Sequence, residues 1–231
     1  MPVDRPLGTV LVTGGSSGLG AAVAAAVEEE GGTAIVLDRQ PPANGFAFER
    51  VDLADARAAE QAVERAALRA GGLDAVVTAA GTDACGDITE VDAEAWDKVI
   101  LVNLLGTAAV VRAALPYLER SQGRVVTVAS TLGLRALPAA TAYCASKFGV
   151  VGFTRALAIE MGDRIGVTML IPGGMKTHFF DDRPDNFKPA PDQRLNDPRD
   201  VARSVLFALR QPPGVELREL LVTPAGEPSW P

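Results

Sequence analysis

Short apolar runs, many of them β-branched, recur along the chain at 9–13, 33–37, 46–51, 74–78, 124–130, 167–171 and 217–223. Most stay apolar at consecutive positions, the pattern of strands covered on both faces. Between them lie stretches rich in strong helix formers, at 18–30, 54–70, 93–120, 143–161 and 200–210. Pro116 lies within the third of these and predicts a bend, because proline donates no backbone hydrogen bond. Gly31, Gly32, Gly71 and Gly72 follow the first two helices and suit left-handed C-terminal caps. Strand–helix–strand alternation demands right-handed crossovers. The pattern therefore predicts an α/β, doubly wound (Rossmann) fold with a mainly parallel sheet and helices on both faces.

The 231 residues are within reach of one hydrophobic core, so one domain over 1–231 is expected. The stretch 172–198 breaks the alternation, collecting Pro184, Pro189, Pro191, several Asp residues and Phe179, Phe180 and Phe187. A long aperiodic stretch directly after a strand predicts a substrate loop or lid at about 173–198.

Nearly half the residues are hydrophobic and charge is dispersed, as in a soluble globule. The net charge of −7 argues against nucleic-acid partners and against anionic membrane surfaces. No apolar run approaches the roughly 20 residues of a membrane span. Residues 1–8 lack a signal-peptide pattern, so a cytoplasmic location is the default expectation. Cys85 and Cys144 are too few for a disulfide framework, and His178 is the single histidine. A metal site or a Ser-His-Asp triad therefore has little to draw on.

The first strand runs into Thr13-Gly14-Gly15-Ser16-Ser17-Gly18-Leu19-Gly20 at the start of a helix. Glycines there let the backbone turn tightly and approach a pyrophosphate, which the helix N-terminus attracts. A plain strand–helix turn has the same spelling. Asp38 ends the second strand at the position where an acidic side chain receives ribose hydroxyls and repels a 2′-phosphate, which favours NAD. Arg39 beside it could hold that phosphate, so NADP stays open. Asp52 either reaches the adenine or caps the helix that follows.

Tyr143 and Lys147 stand four residues apart and share a helix face. A nearby ammonium favours phenolate and draws the tyrosine pKa down toward working pH, which makes Tyr143 a candidate general acid and base. A solvated helical pair reads the same in isolation. Ser130 closes the fifth strand, where its hydroxyl could donate to a substrate oxygen. Asn103 either holds a proton-passing water or is an inward polar residue bonded to backbone. Phe179, Phe180, Leu134 and Leu137 suggest an apolar pocket wall, although the phenylalanines could equally serve only to pin the loop to the core. Arg135 and His178 are potential anchors for a polar substrate group, or solvent-facing side chains.

Together these residues resemble the short-chain dehydrogenase/reductase family, in its compact branch, over nearly the whole chain. The resemblance rests on Thr-Gly-x-x-x-Gly-x-Gly at 13–20, Asp38, Asp52-Leu53, Ala80-Gly81, Asn103, Ser130, Tyr143-x-x-x-Lys147 and Pro172-Gly173-x-x-x-Thr177. It implies a seven-stranded sheet of order 3-2-1-4-5-6-7. It further implies catalytic roles for Asn103, Ser130, Tyr143 and Lys147. The cofactor positions it implies are Gly14, Ser16, Ser17, Gly18, Leu19, Gly20, Asp38, Arg39, Asp52, Leu53, Ala80, Gly81, Tyr143, Lys147, Pro172, Gly173 and Thr177. Relatives often pair through the helices corresponding to 93–120 and 143–161, which predicts a homodimer or homotetramer.

Two departures stand out. The family's Asn-Asn-Ala-Gly reads Thr78-Ala79-Ala80-Gly81, which removes a bracing asparagine and puts local rigidity in doubt. The C-terminus, ending Trp230-Pro231, lacks the Asp-Gly-Gly ending of many tetrameric relatives. The reading that follows is hydride transfer between NAD(H) and a secondary alcohol or ketone. An NADP(H)-dependent carbonyl reductase is the alternative, and a catalytically silent dinucleotide-binding regulator is a third reading.

Overall fold

The computed structural model describes residues 5–227 and residue 230; the readings made on residues 1–4 and on Pro231 lie outside these. Seven strands form one sheet: β1 (Thr9–Thr13), β2 (Thr33–Asp38), β3 (Ala47–Arg50), β4 (Ala75–Thr78), β5 (Arg124–Val128), β6 (Gly166–Pro172) and β7 (Glu219–Val222). Every neighbouring pair is parallel, in the order β3-β2-β1-β4-β5-β6-β7. Thr13 registers with Leu37 on one side and Thr78 on the other, so β1 and β4 end level where the order reverses and β2 runs one residue further, to Asp38. That reversal opens a crevice beyond their carboxyl ends.

Among the described residues six α-helices cover the sheet: α1 (Gly18–Glu29), α2 (Ala56–Ala70), α3 (Ala93–Ile100), α4 (Thr107–Ser121), α5 (Thr141–Met161) and α6 (Pro198–Leu209). Two apolar layers result. Val23, Val27, Val201 and Val205 from α1 and α6 pack beneath one face; Val63, Ala67, Val110 and Leu118 from α2 and α4 cover the other. Gly31 (φ 81°) and Gly71 (φ 78°) supply the left-handed turns expected after α1 and α2. Gly32 does not adopt a positive φ. It is needed for space, because a Cβ there would lie 2.8 Å from Val27.

Three expectations change. The helix read from 54 starts at Ala56 and is capped by Asp55, whose side chain accepts from the N–H groups of Arg57 and Ala58. Asp52 instead accepts from Ala54, 3.0 Å away. The irregularity of the third helical stretch lies at Leu101–Gly106, a π-helical segment joining α3 to α4, rather than at Pro116. Pro116 is exposed, where a missing helix hydrogen bond costs least. Finally, the run Ala93–Ser121 is 29 residues long and apolar enough to cross a membrane by length and composition, which no run was expected to be. Part of its apolar surface is packed within the fold. Val99, Ala109, Val110, Val111, Ala114 and Leu118 are buried within the fold.

The segment after β6 includes two single 3-10 turns, His178–Phe180 and Asp185–Phe187. It is pinned at its base by Asn196, which bridges to Met175, donates its backbone N–H to Gly174 O at 2.9 Å, and reaches Val222 O at 3.2 Å with its side chain.

Candidate active site

The turn after β1 is shaped by contacts that exclude side chains. Gly14 has φ 70°, and a Cβ there would fall 2.8 Å from the Ala80 Cα; one on Gly20 would fall 2.3 Å from Gly14 O. Both positions therefore require glycine. Ser17 precedes α1 without a side-chain cap, and the first turn of α1 carries no acidic residue. A helix N-terminus left in this state, fronted by a bare backbone cradle, fits a phosphate. Ala80 N–H donates to the Thr13 hydroxyl at 3.1 Å, so a threonine braces the β4 turn where the family's asparagine is missing.

Asp38 lies at the end of β2, as expected. Its carboxylate accepts from Ser16 N–H at 3.1 Å and Gln40 N–H at 3.2 Å, which holds it against the glycine turn. Arg39 is exposed.

At the other end of the crevice, Ser130 sits two residues past β5, as the N-cap of the 3-10 turn Thr131–Gly133, rather than in the strand. Its hydroxyl accepts from Leu132 N–H at 3.1 Å and hydrogen-bonds Tyr143. Lys147 lies one turn along α5 from Tyr143, is 4% exposed, and donates to Val128 O at 2.8 Å. Its Nζ stands 5.6 Å from the centre of the tyrosine ring. Burial pulls Lys147 down to about 8. Burial also pushes Tyr143 up to about 12, with the Ser130 hydrogen bond working in the opposite direction. The tyrosine therefore stands above its ordinary value, contrary to expectation, because loss of water on burial outweighs the Ser130 hydrogen bond.

Every predicted position except Ser16 and Asn103 lines one cleft of about 1040 Å³. Ser16 lies behind it, its hydroxyl bonded to Gln40 O. Asn103 is fully buried. Its amide donates to Thr82 O at 2.9 Å and to the Ser146 hydroxyl at 3.0 Å, and its carbonyl accepts from Thr82 N–H at 2.8 Å. Both amide hydrogens are thus used, and Asn103 ties the π-helical segment to α5 and to the loop after β4. Of its two readings, the inward polar residue describes the side chain.

The fold is shared with known proteins. Residues 8–187 match the profile of the short chain dehydrogenase family. An uncharacterized oxidoreductase of Staphylococcus aureus is 33% identical over 226 residues, covering 93% of this chain and 96% of that protein. The chain belongs to the short chain dehydrogenase family. Two solved structures agree. A short chain dehydrogenase from Burkholderia cenocepacia in complex with NADP is 27% identical with TM-score 0.82, over 95% of this chain and 98% of that one. An actinorhodin polyketide ketoreductase variant with NADPH is 29% identical with TM-score 0.82, over 94% and 95%. Membership makes this chain an oxidoreductase of that type.

In this short chain dehydrogenase the apolar wall is only partly as expected. Phe179, Phe180 and Leu137 line the cleft, whereas Leu134 packs against Val150, Val151 and Ile171 below it. Phe179 meets Tyr143 with ring centres 5.6 Å apart. His178 is exposed and bonds Asp181 at 2.7 Å, and Arg135 is exposed outside the cleft lining. Sequence reasoning missed Asp83, Arg183 and Glu227. Glu227 is 8% exposed and accepts from Gly174 N–H at 3.1 Å, closing the cleft floor beneath Gly173. Asp83 and Arg183 lie on loops 100 positions apart, with no periodicity to connect them.

Proposed function

We propose that this chain moves a hydride between NAD(H) and a secondary alcohol or its ketone, with Tyr143 passing the proton. One observation carries the reading: the hydroxyls of Ser130 and Tyr143 share a hydrogen bond at the cleft, with the buried Lys147 amine one helical turn away. When bound, the nicotinamide ring supplies or accepts the hydride. In reduction, the Ser130 and Tyr143 hydroxyls donate to the substrate carbonyl oxygen, and Tyr143 releases its proton to that oxygen as the carbon is reduced. The Lys147 ammonium then faces the phenolate and favours it. Oxidation runs the same transfers backward. Asn103 acts through position, holding α5 against the loop after β4. The segment 173–198 closes over the substrate. A catalytically silent dinucleotide-binding regulator would need none of the Ser130, Tyr143 and Lys147 arrangement.

NAD(H) is favoured by the Asp38 carboxylate at the β2 end, which repels a 2′-phosphate. An NADP(H)-dependent carbonyl reductase is the second reading. It is supported by the exposed Arg39 and by relatives solved with NADP and NADPH. The exposed Leu101, Leu105 and Phe148 on the helices of one face support pairing with a second copy of this chain.

A panel of ketones and secondary alcohols, assayed with each cofactor by nicotinamide absorbance, tests the whole reading. Turnover should appear in the wild type and vanish in Tyr143→Phe, whose cofactor affinity stays within about twofold. Activity retained by Tyr143→Phe would end the proton-transfer role, and tighter binding of NADP(H) would overturn the role given to Asp38.

A further inference from the structure

Arg183 and Asp83 meet at the substrate end of the cleft as an ion pair, their side chains 17% and 5% exposed. Arg183 comes from the segment after β6 and Asp83 from the loop after β4. The guanidinium stands 5.2 Å and 4.7 Å over the rings of Phe179 and Phe180, and the first of these rings packs against Tyr143. A second guanidinium nitrogen reaches Phe187 O at 3.3 Å. Asp83 is occupied on both oxygens, accepting from Ala84 N–H at 2.8 Å and from the Cys85 thiol at 3.0 Å as well as from Arg183. Burial and the Asp83 carboxylate push the Cys85 thiol up to about 12, so it remains a donor. Both charges act on the Tyr143 hydroxyl with opposite sign.

An arginine beside the reacting phenol would ordinarily invite a carboxylate substrate. Here its charge is already matched by a buried carboxylate. An anion that separates the pair leaves Asp83 uncompensated, and one that reaches the buried, unpartnered Arg183 Nε sits beside the Asp83 carboxylate; both are costly in a desolvated cleft. Glu90, Asp92 and Asp182 also line the cleft, together with the cation Lys98.

We propose that Asp83 and Arg183 are a specificity-determining pair that reserves the substrate end of the cleft for neutral compounds with an aromatic or apolar body, with Asp83 excluding carboxylates. The inference names the substrate class of the oxidoreductase reading and rests on it. Its test is a binding experiment that does not need turnover. Benzamide and benzoate, matched in shape and differing in charge, are titrated calorimetrically into the full chain.

The wild type should bind benzamide at least about tenfold more tightly than benzoate. Asp83→Asn, which leaves Arg183 unmatched, should tighten benzoate at least about tenfold while benzamide stays within about threefold. Arg183→Gln should weaken benzoate further, and it provides an independent check should Asp83→Asn fail to fold. Equal wild-type affinities, a benzoate-to-benzamide ratio unchanged in both variants, or no binding of either probe to any form would each overturn the pair's role. Turnover of the ketone panel judges the oxidoreductase reading separately, so the two can fail independently.

Discussion

The two ends of the cleft are built on different principles. At the 14–20 turn the protein presents backbone: glycines forced by close approach to Ala80 and Gly14 O, and a helix start without a side-chain cap. At the far end it presents side chains drawn from the turn after β5, from α5 and from two loops, several of them buried and titratable. The nucleotide end depends on nearby residues and on the absence of Cβ atoms. The substrate end depends on Ser130, Tyr143, Lys147, Asp83 and Arg183 being brought together by the sheet. Binding and chemistry should accordingly separate under mutation.

The separation should show most strongly at Ser130. In Ser130→Ala, kcat for carbonyl reduction should fall about 10²–10³-fold with cofactor affinity kept within about twofold, measured by steady-state kinetics and fluorescence titration. A parallel loss of cofactor affinity would break the comparison. Gly14→Ala is the converse. A Cβ at φ 70° and 2.8 Å from the Ala80 backbone must displace the turn. The cofactor dissociation constant should then rise about 10–100-fold, while kcat at saturating cofactor changes less than about threefold.

A pH profile sharpens the account of the substrate end. Lys147, lowered to about 8, is an ammonium below that value and a neutral amine above it, whereas Tyr143, raised to about 12, stays a phenol throughout. If the ammonium is what supports the developing phenolate, kcat/KM for reduction should be flat below about pH 8 and fall up to about tenfold per unit above it. In Lys147→Met the profile should be low and without that break. The smallest effect belongs to Thr13→Val, which removes the acceptor of Ala80 N–H. It should cost about 1 kcal/mol, or about 2–4 °C in Tm by thermal melt, without changing the pH profile.

Legibility in the sequence followed the range of the interactions. The glycine turn, Asp38 and Tyr143-x-x-x-Lys147 could be read because each is set by neighbours within one turn or one strand end. Asn103 was located but its side-chain role was not, since the two amide bonds that decide it go to Thr82 and Ser146, 21 and 43 positions away. The tyrosine pKa was read in the wrong direction, because charge proximity is visible in i, i+4 spacing and desolvation is not.

The strand and helix periods, with the glycine turn, determined the doubly wound sheet and the edge at which the cleft opens, because side-chain periodicity and backbone freedom are local properties. Only the tertiary structure decided which distant charges cancel there. The Asp83–Arg183 pair, the burial of Lys147 and the seating of Glu227 under Gly173 depend on segments that meet after the sheet has formed. Their energies depend on how much water that meeting removes.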